Sequence, residues 1–76
     1  MHGGSKGAAK VAAFVCDTMT SRAPAGSSEA LMVSVETDIV NHLIDNAWRN
    51  LHVTLSEDRA WYAVLGAEYH FCPQYS

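Results

Sequence analysis

The fold is decided by the stretch DIVNHLIDNAWRNL, residues 38–51, in which apolar residues recur at helical spacing. Every fourth residue from Val35 to Leu51 is apolar, and Val40 begins a second row beside the first. The two rows form one wide apolar face, while the Asp, Asn and Arg residues lie mostly outside it. The stretch therefore predicts an amphipathic helix. The first row comprises Val35, Ile39, Leu43, Ala47 and Leu51, and the second comprises Val40, Ile44 and Trp48.

The start of this helix has two interpretations. The preceding segment LMVSVET, residues 31–37, alternates enough to be a strand, and Thr37 would then cap a helix that begins one residue later. Otherwise one of the serines at positions 27 and 28 caps a helix over 29–52, with Glu29 favoured at its positive end. A helix of that length spans about 36 Å. It would overhang so small a domain, which suggests a dimer.

A third helix is predicted over residues 57–71. Ser56 can accept a hydrogen bond from the free amides of the first turn, Glu57 and Asp58 suit the positive helix end, and Pro73 stops the helix. Gly66 weakens this helix by about 1 kcal/mol relative to Ala. The residues that fall on one side of it are Trp61, Val64, Leu65, Glu68 and Cys72.

A first helix is predicted over residues 6–19, followed by a loop over 20–28. The loop TSRAPAGSS contains Pro24, which disfavours helical geometry at Ala23, and a glycine with two serines completes the break. The apolar stripe of the first helix comprises Ala8, Val11, Ala12, Val15 and Met19.

These patterns predict a small all-α domain of three helices. The alternative is an α+β fold, with strands near 10–16, 31–36 and 60–71 packed on the 38–51 helix. In either case we expect a flexible N-terminus over residues 1–5, a single domain over 6–72 and a short C-terminal tail over 73–76.

Composition narrows the functional classes. Of the 76 residues, 49% are hydrophobic and 17% charged, against about 25% charged in typical domains, so we expect apolar surface that favours self-association or a partner. The net charge is −3, and the basic residues are scattered, which disfavours nucleic-acid binding. No window is apolar enough to span a membrane, and no secretory signal is expected. The basic residues are Lys6, Lys10, Arg22, Arg49 and Arg59.

The cysteines and histidines are candidates for a disulfide bond, a metal site and a catalytic site. Two cysteines are too few for a disulfide scaffold, so we expect a reducing cytoplasm, although a bridge between Cys16 and Cys72 would close nearly the whole domain. No metal-ligand spacing occurs, and no spacing selects a catalytic trio, so we predict no cofactor, no metal and no enzymatic activity. His42, near Asp38 and Asp45 on the same helix, is interpreted as a boundary residue paired with a carboxylate.

The functional hypothesis rests on the aromatic residues. Trp61 and Tyr62 point about 100° apart on a helix, so a small core cannot bury both, and Trp and Tyr are typical anchors of protein interfaces. We therefore predict a non-enzymatic protein–protein interaction module, a regulator, inhibitor or accessory subunit that is homodimeric or binds another protein. The predicted surface combines the apolar face of 35–51 with Trp48, Trp61, Tyr62 and Tyr69. The alternative is a small-ligand or metal-binding domain that uses Cys16, His42, His70 and Cys72.

Overall fold

The computed structural model describes residues 3–75, with side chains described from residue 9, and shows three packed helices. Helix α1 spans Gly3–Arg22, α2 spans Glu29–Leu51 and α3 spans Glu57–Phe71, followed by a 3-10 turn over Pro73–Tyr75. No strand occurs within residues 3–75. The all-α prediction is confirmed, and the segments proposed as strands in the α+β alternative are helical.

The predicted starts of α2 and α3 are confirmed by their caps. Ser28 is the N-cap of α2, and its hydroxyl accepts a hydrogen bond from the amide of Leu31 at 3.2 Å. Ser56 plays the same part for α3, where its hydroxyl accepts from the amide of Arg59 at 3.2 Å. Each cap satisfies an amide that the first turn of a helix leaves without a partner. Thr37 caps nothing and lies inside α2, where its hydroxyl donates to the carbonyl of Val33.

Helix α1 is longer than predicted at both ends. The residues at positions 3–5, predicted to be flexible, belong to the helix, because intrahelical hydrogen bonding extends from the alanine-rich part back through the glycines; residues 1 and 2 lie outside the described part. At the other end α1 continues to Arg22, because Pro24 restricts only the residue before it. The loop is therefore confined to residues 23–28, and it turns at Gly26, whose φ is 96°.

Helix α2 ends one residue before the predicted boundary. His52 adopts a left-handed conformation with φ of 52° and donates its backbone N–H to the carbonyl of Trp48. The next amide, of Val53, donates to the carbonyl of Ala47 at 3.2 Å. This pair of bonds is the usual way in which a helix C-terminus satisfies its last carbonyls. At 23 residues, about 35 Å at 1.5 Å per residue, α2 matches the 36 Å long dimension of the molecule.

The core is built from small aliphatic side chains. Residues from all three helices contribute to it, and the alanines among them let the helices approach closely. None of the two Trp, three Tyr and two Phe side chains is fully buried. The space between the helices is filled by shorter groups, and Trp61 and Tyr75 are only partly buried against them. The buried hydrophobic residues are Ala12, Val15, Met19, Ala23, Val35, Ile39, Val40, Ala60, Val64, Ala67 and Cys72.

A disulfide bond between Cys16 and Cys72 links the middle of α1 to the C-cap of α3. Their Cα atoms lie 6.0 Å apart, within the range that a disulfide can bridge. Cys72 is buried and Cys16 half-buried, so the bridge is part of the α1–α3 packing. Beyond it, the predicted tail forms the 3-10 turn, and Tyr75 packs against the core; Ser76 lies outside the described part.

Candidate functional site

An exposed aromatic stripe runs along α3. The core takes the side of α3 that carries Ala60, Val64 and Ala67, and the larger apolar residues lie about a quarter turn or more away from it. Tyr62 is 82% exposed and Tyr69 is 66% exposed. We call the set Tyr62, Leu65, Gly66 and Tyr69 the α3 stripe; Gly66 is half-buried and the other three residues are exposed.

Two grooves flank the α3 stripe. The larger, about 560 Å³, is walled on one side by the half-buried Trp61, and Asp58 is the only charged side chain that lines it in the described part of the chain. The smaller, about 340 Å³, lies between α3 and α1. Tyr62 and Gly66 border both grooves, so a ridge at Tyr62 stands between two apolar depressions. The larger groove is lined by Asp58, Trp61, Tyr62, Leu65, Gly66 and Tyr69, and the smaller by Val11, Ala12, Tyr62, Ala63, Gly66, Ala67, His70 and Phe71.

Three of the four predicted surface residues are brought together here. Trp61, Tyr62 and Tyr69 all line the larger groove. Trp48 is 58% exposed, but it lies near the end of α2, contacts His52 edge-on at 5.6 Å between ring centroids, and lines none of the grooves on α3. Leu65 and Gly66 complete the surface, and sequence reasoning assigned them no role in it, although both lie within two turns of the predicted tyrosines.

The apolar face of α2 is mostly not a free surface. Val35, Ile39 and Val40 are buried, and Leu43 and Ile44 are half-buried against the core. Of the large side chains on this face, Trp48 and Leu51, in the last turn of α2, are exposed. The prediction that the whole 35–51 face serves as an interaction surface is therefore wrong, because α1 and α3 cover its first half.

The residues of the predicted metal or ligand site are dispersed. The two cysteines are joined to each other, so neither carries a thiolate. His42 is exposed and stacks on Phe14 at 5.0 Å between ring centroids, and His70 contacts Tyr69 at 5.0 Å. Within the described residues, no group of three or more His, Cys, Asp or Glu side chains is arranged to hold a metal ion.

The interpretation of His42 as a residue paired with a carboxylate is wrong. Its two candidate partners are ion-paired elsewhere: Asp38 accepts from Arg22 of α1 at 2.8 Å, and Asp45 pairs with Arg49 at 3.2 Å. The imidazole instead lies against Phe14 of α1. Periodicity within α2 indicates the i,i+4 pair of Asp45 with Arg49, but it could not reveal the pairing of Asp38, because Arg22 belongs to α1.

A buried pair of carboxyl groups joins α2 to α3. Glu68 is fully buried and Glu36 is 7% exposed, and neither carboxyl oxygen of Glu68 receives a hydrogen bond from a protein donor. Burial raises the pKa of Glu68, and the neighbouring carboxyl group of Glu36 raises it further, to about 8.

Sequence signals for this pair were present but incomplete. Glu68 falls on the apolar side of α3 between Val64 and Cys72, and Glu36 stands one turn before Val40 on the second apolar row of α2. A glutamate inside an apolar row indicates burial. The rows of two separate helices do not reveal that their glutamates meet.

Comparisons with known proteins add no relative. No protein-family model, no curated protein and no solved structure matches this chain. The described helices include none that is both long enough and apolar enough to cross a membrane.

Proposed function

We propose that this chain is a small non-enzymatic protein–protein interaction module, a regulator, inhibitor or accessory subunit that binds through the α3 stripe and Trp61. The observation that carries the proposal is the exposure of Tyr62 and Tyr69 on one helix, beside grooves that can receive apolar side chains. Exposed apolar patches rimmed by polar residues are typical of interaction sites.

The chemistry of the stripe suits recognition. Tyrosine offers a large rigid surface with few rotatable bonds, so ordering it on binding costs little conformational entropy. The hydroxyl groups keep both rings hydrated in the free protein, and the ring faces provide the apolar contact area. Beside them, Trp61 is half-buried and forms a fixed wall of the larger groove. A fixed wall next to exposed tyrosines is the kind of arrangement in which a few residues supply most of the binding energy.

A metal-binding or small-ligand function is less well supported. It would require Cys16 and Cys72 as free thiolates, and the structure joins them in a bridge. The histidines named for such a site, His42 and His70, each contact a different aromatic ring. The grooves on α3 are open and almost uncharged, which suits apolar side chains of a protein better than a polar small molecule.

The compartment stays a prediction. The low cysteine count predicts a cytoplasmic location, and the Cys16–Cys72 bridge argues against it, because cytosolic thiols are normally kept reduced. A free-thiol count on protein taken directly from its native cells distinguishes the cases. Two thiols per chain would support the cytoplasm, and none would support an oxidising compartment.

Replacing Tyr62 by Ala is expected to weaken the association of this protein, with itself or with a captured partner, by about 2 kcal/mol, the scale of an interface hot spot. Because the side chain is 82% exposed, the variant should keep the thermal midpoint of the wild type. Sedimentation of the purified protein measures self-association, and titration against a captured partner measures binding to another protein.

The matched control is Trp48→Ala, which removes an aromatic side chain that is 58% exposed and lines neither groove on α3. It should leave association unchanged. Equal weakening by both variants, or by neither, would contradict the assignment of the surface to α3.

A further inference from the structure

The second half of α3 has little apolar packing to hold it in the fold. Within α3, which the structure describes throughout, Ala67 is the only buried aliphatic side chain after Gly66, and it is 8% exposed. The first half of the helix buries Ala60 and Val64 completely and adds the half-buried Trp61. The free energy gained by packing grows with the apolar area removed from water. The residues of α3 after Gly66 therefore contribute less of it than the residues before.

Two features of this half oppose the folded state. Gly66 lowers the helix propensity where the half begins, and a Cβ added there would meet no atom within 4 Å, so packing within the chain does not require a glycine. Glu68 is fully buried, and neither of its carboxyl oxygens receives a hydrogen bond from a donor in the described part of the chain. A buried carboxyl group without a donor favours any conformation that returns it to water.

The surroundings of Glu68 supply no positive charge. Its charged neighbour is Glu36 of α2, another carboxyl group, and burial together with Glu36 raises the pKa of Glu68 to about 8. The 3-10 turn that packs on α3 has the half-buried Tyr75 as its one titratable side chain. Every other charged or histidine side chain that the structure describes on the three helices is exposed. On α1 the described charged side chains are Lys10, Asp17 and Arg22.

The disulfide bond holds the second half of α3 in place. Cys72 is the C-cap of the helix and follows Glu68 by one turn, and its backbone amide donates to the carbonyl of Glu68 at 2.9 Å. The bond to Cys16 ties this turn covalently to the middle of α1. The bond therefore fixes the one turn in which a carboxyl group is buried without a donor.

We propose that the Cys16–Cys72 bond is a redox switch, whose reduction releases residues 67–75 from α1 and α2 while the rest of the fold stays packed. The released segment gives up little buried apolar area and returns Glu68 to water. The remaining core still draws on all three helices. It comprises Ala12, Val15, Met19, Ala23, Val35, Ile39, Val40, Ala60 and Val64.

A dithiol reductant can reach the bond at one of its two sulfur atoms. Cys16 is half-buried, whereas Cys72 is 4% exposed. A thiolate of the reductant attacks Sγ of Cys16, the S–S bond breaks, and Cys72 leaves with the electron pair as a thiolate that takes up a proton. The second thiol of the reductant then displaces Sγ of Cys16. The reductant ends as a disulfide, and the protein has gained two electrons and two protons as two thiols.

The released segment carries part of the proposed interaction surface. Tyr69 lines the larger groove, and Ala67, His70 and Phe71 line the smaller one. Reduction therefore takes the smaller groove apart and removes Tyr69 from the α3 stripe. This consequence rests on the proposed function, and it predicts that the reduced protein associates at least about tenfold more weakly than the oxidised protein, the effect of losing one interface anchor.

Hydrogen–deuterium exchange of the full chain at neutral pH tests the release without any partner. In excess dithiothreitol, the amides of residues 68–72 should exchange within about tenfold of the rate of an unfolded chain, while the middle of α2 stays protected at least about 100-fold. Alkylation of the reduced protein by iodoacetamide provides a second measurement. Cys72 should react about as fast as Cys16, although Cys72 is the more buried of the two in the oxidised protein.

Two variants assign the release to the bond and to the buried carboxyl group. Cys16→Ser/Cys72→Ser should give the exchange pattern of the reduced protein without any reductant. Glu68→Gln has no charge to hydrate, so in the reduced protein it should slow the exchange of residues 68–72 at least about tenfold. The matched control is Glu57→Gln, an exposed position on the same helix, which should exchange like the reduced wild type.

Three results would overturn the switch: protection of residues 68–72 that survives reduction, alkylation of Cys72 that stays far slower than that of Cys16, or loss of protection in all three helices at once. The proposed function has a separate outcome. A reduced protein that releases residues 67–75 and still binds a captured partner as tightly as the oxidised protein would support the switch and contradict the interaction surface. A reduced protein that keeps this segment packed and binds unchanged would overturn the switch alone.

Discussion

Replacing Glu68 by Gln is expected to increase the free energy of unfolding at pH 8 and to flatten its dependence on pH between about 4.5 and 8. In the folded protein the pKa of Glu68 is raised from 4.5 to about 8 by burial and by Glu36. The wild type therefore takes up a proton on folding throughout this interval. Each unit of pKa difference corresponds to about 1.4 kcal/mol, so the effect on a small domain is large.

The sign follows from the direction of the pKa shift. Below about 4.5 Glu68 is protonated in both states, and burial of the neutral group adds no pH-dependent penalty. As the pH rises from 4.5 toward 8, the unfolded chain gains stability by ionising while the folded protein cannot, so stability falls. Above about 8 the buried carboxylate faces Glu36 without a donor, and stability is lowest. The wild type should thus be more stable in mild acid than in mild base.

Glutamine at position 68 imitates the protonated acid. Its neutral amide carries donors that a carboxylate at this position lacks. Urea unfolding at a series of pH values between 4 and 9 measures the effect. The matched control is Glu57→Gln, which removes an exposed glutamate from the same helix and should keep the slope of the wild type. Parallel slopes for wild type and Glu68→Gln would show that the proton resides elsewhere.

Reducing the Cys16–Cys72 bond is expected to lower the free energy of unfolding by about 4 kcal/mol, the entropy that a cross-link of this span removes from the unfolded chain. The two residues are 56 apart in sequence, so the ring contains the end of α1, all of α2 and α3, and both loops. Small domains have total stabilities of about 5–15 kcal/mol, so reduction removes a large share. The bridge also holds the end of α3, which carries the α3 stripe, against α1.

Urea unfolding with and without a reductant measures this contribution. The double variant Cys16→Ser/Cys72→Ser should match the reduced wild type, and the reductant should then have no further effect on it. If the oxidised and reduced wild type unfold at the same urea concentration, the bridge contributes nothing to stability.

Much of the fold could be predicted because the information is local. Helices α2 and α3 begin where Ser28 and Ser56 cap them, and a cap depends only on residues three positions apart. The buried rows of α1 and α2 follow the 3.6-residue period of a single helix. Residues 3–5 and 20–22 of α1 are not predicted to be helical, because glycines and a following proline weaken a helix without forbidding it.

The candidate site could be predicted only in part, because it depends on which neighbour covers which face. The period of α3 shows that Trp61 and Tyr62 point in different directions. It does not show that the side with the alanines packs into the core while the tyrosines stay exposed. The Cys16–Cys72 bond and the contact of Glu36 with Glu68 are tertiary facts of the same kind. Each joins residues from two helices, and the sequence pattern of one helix does not show which residue of the other helix it contacts.

The disulfide also determines what a protease would leave behind. Both connections between helices, residues 23–28 and 52–56, lie within the covalent ring that the bridge closes. A cut in either connection opens the ring into two chains that remain joined at Cys16 and Cys72. The cleaved protein would therefore migrate as one species on a gel without reductant, although it already has a new N-terminus and a new C-terminus. Adding a reductant would separate the two chains.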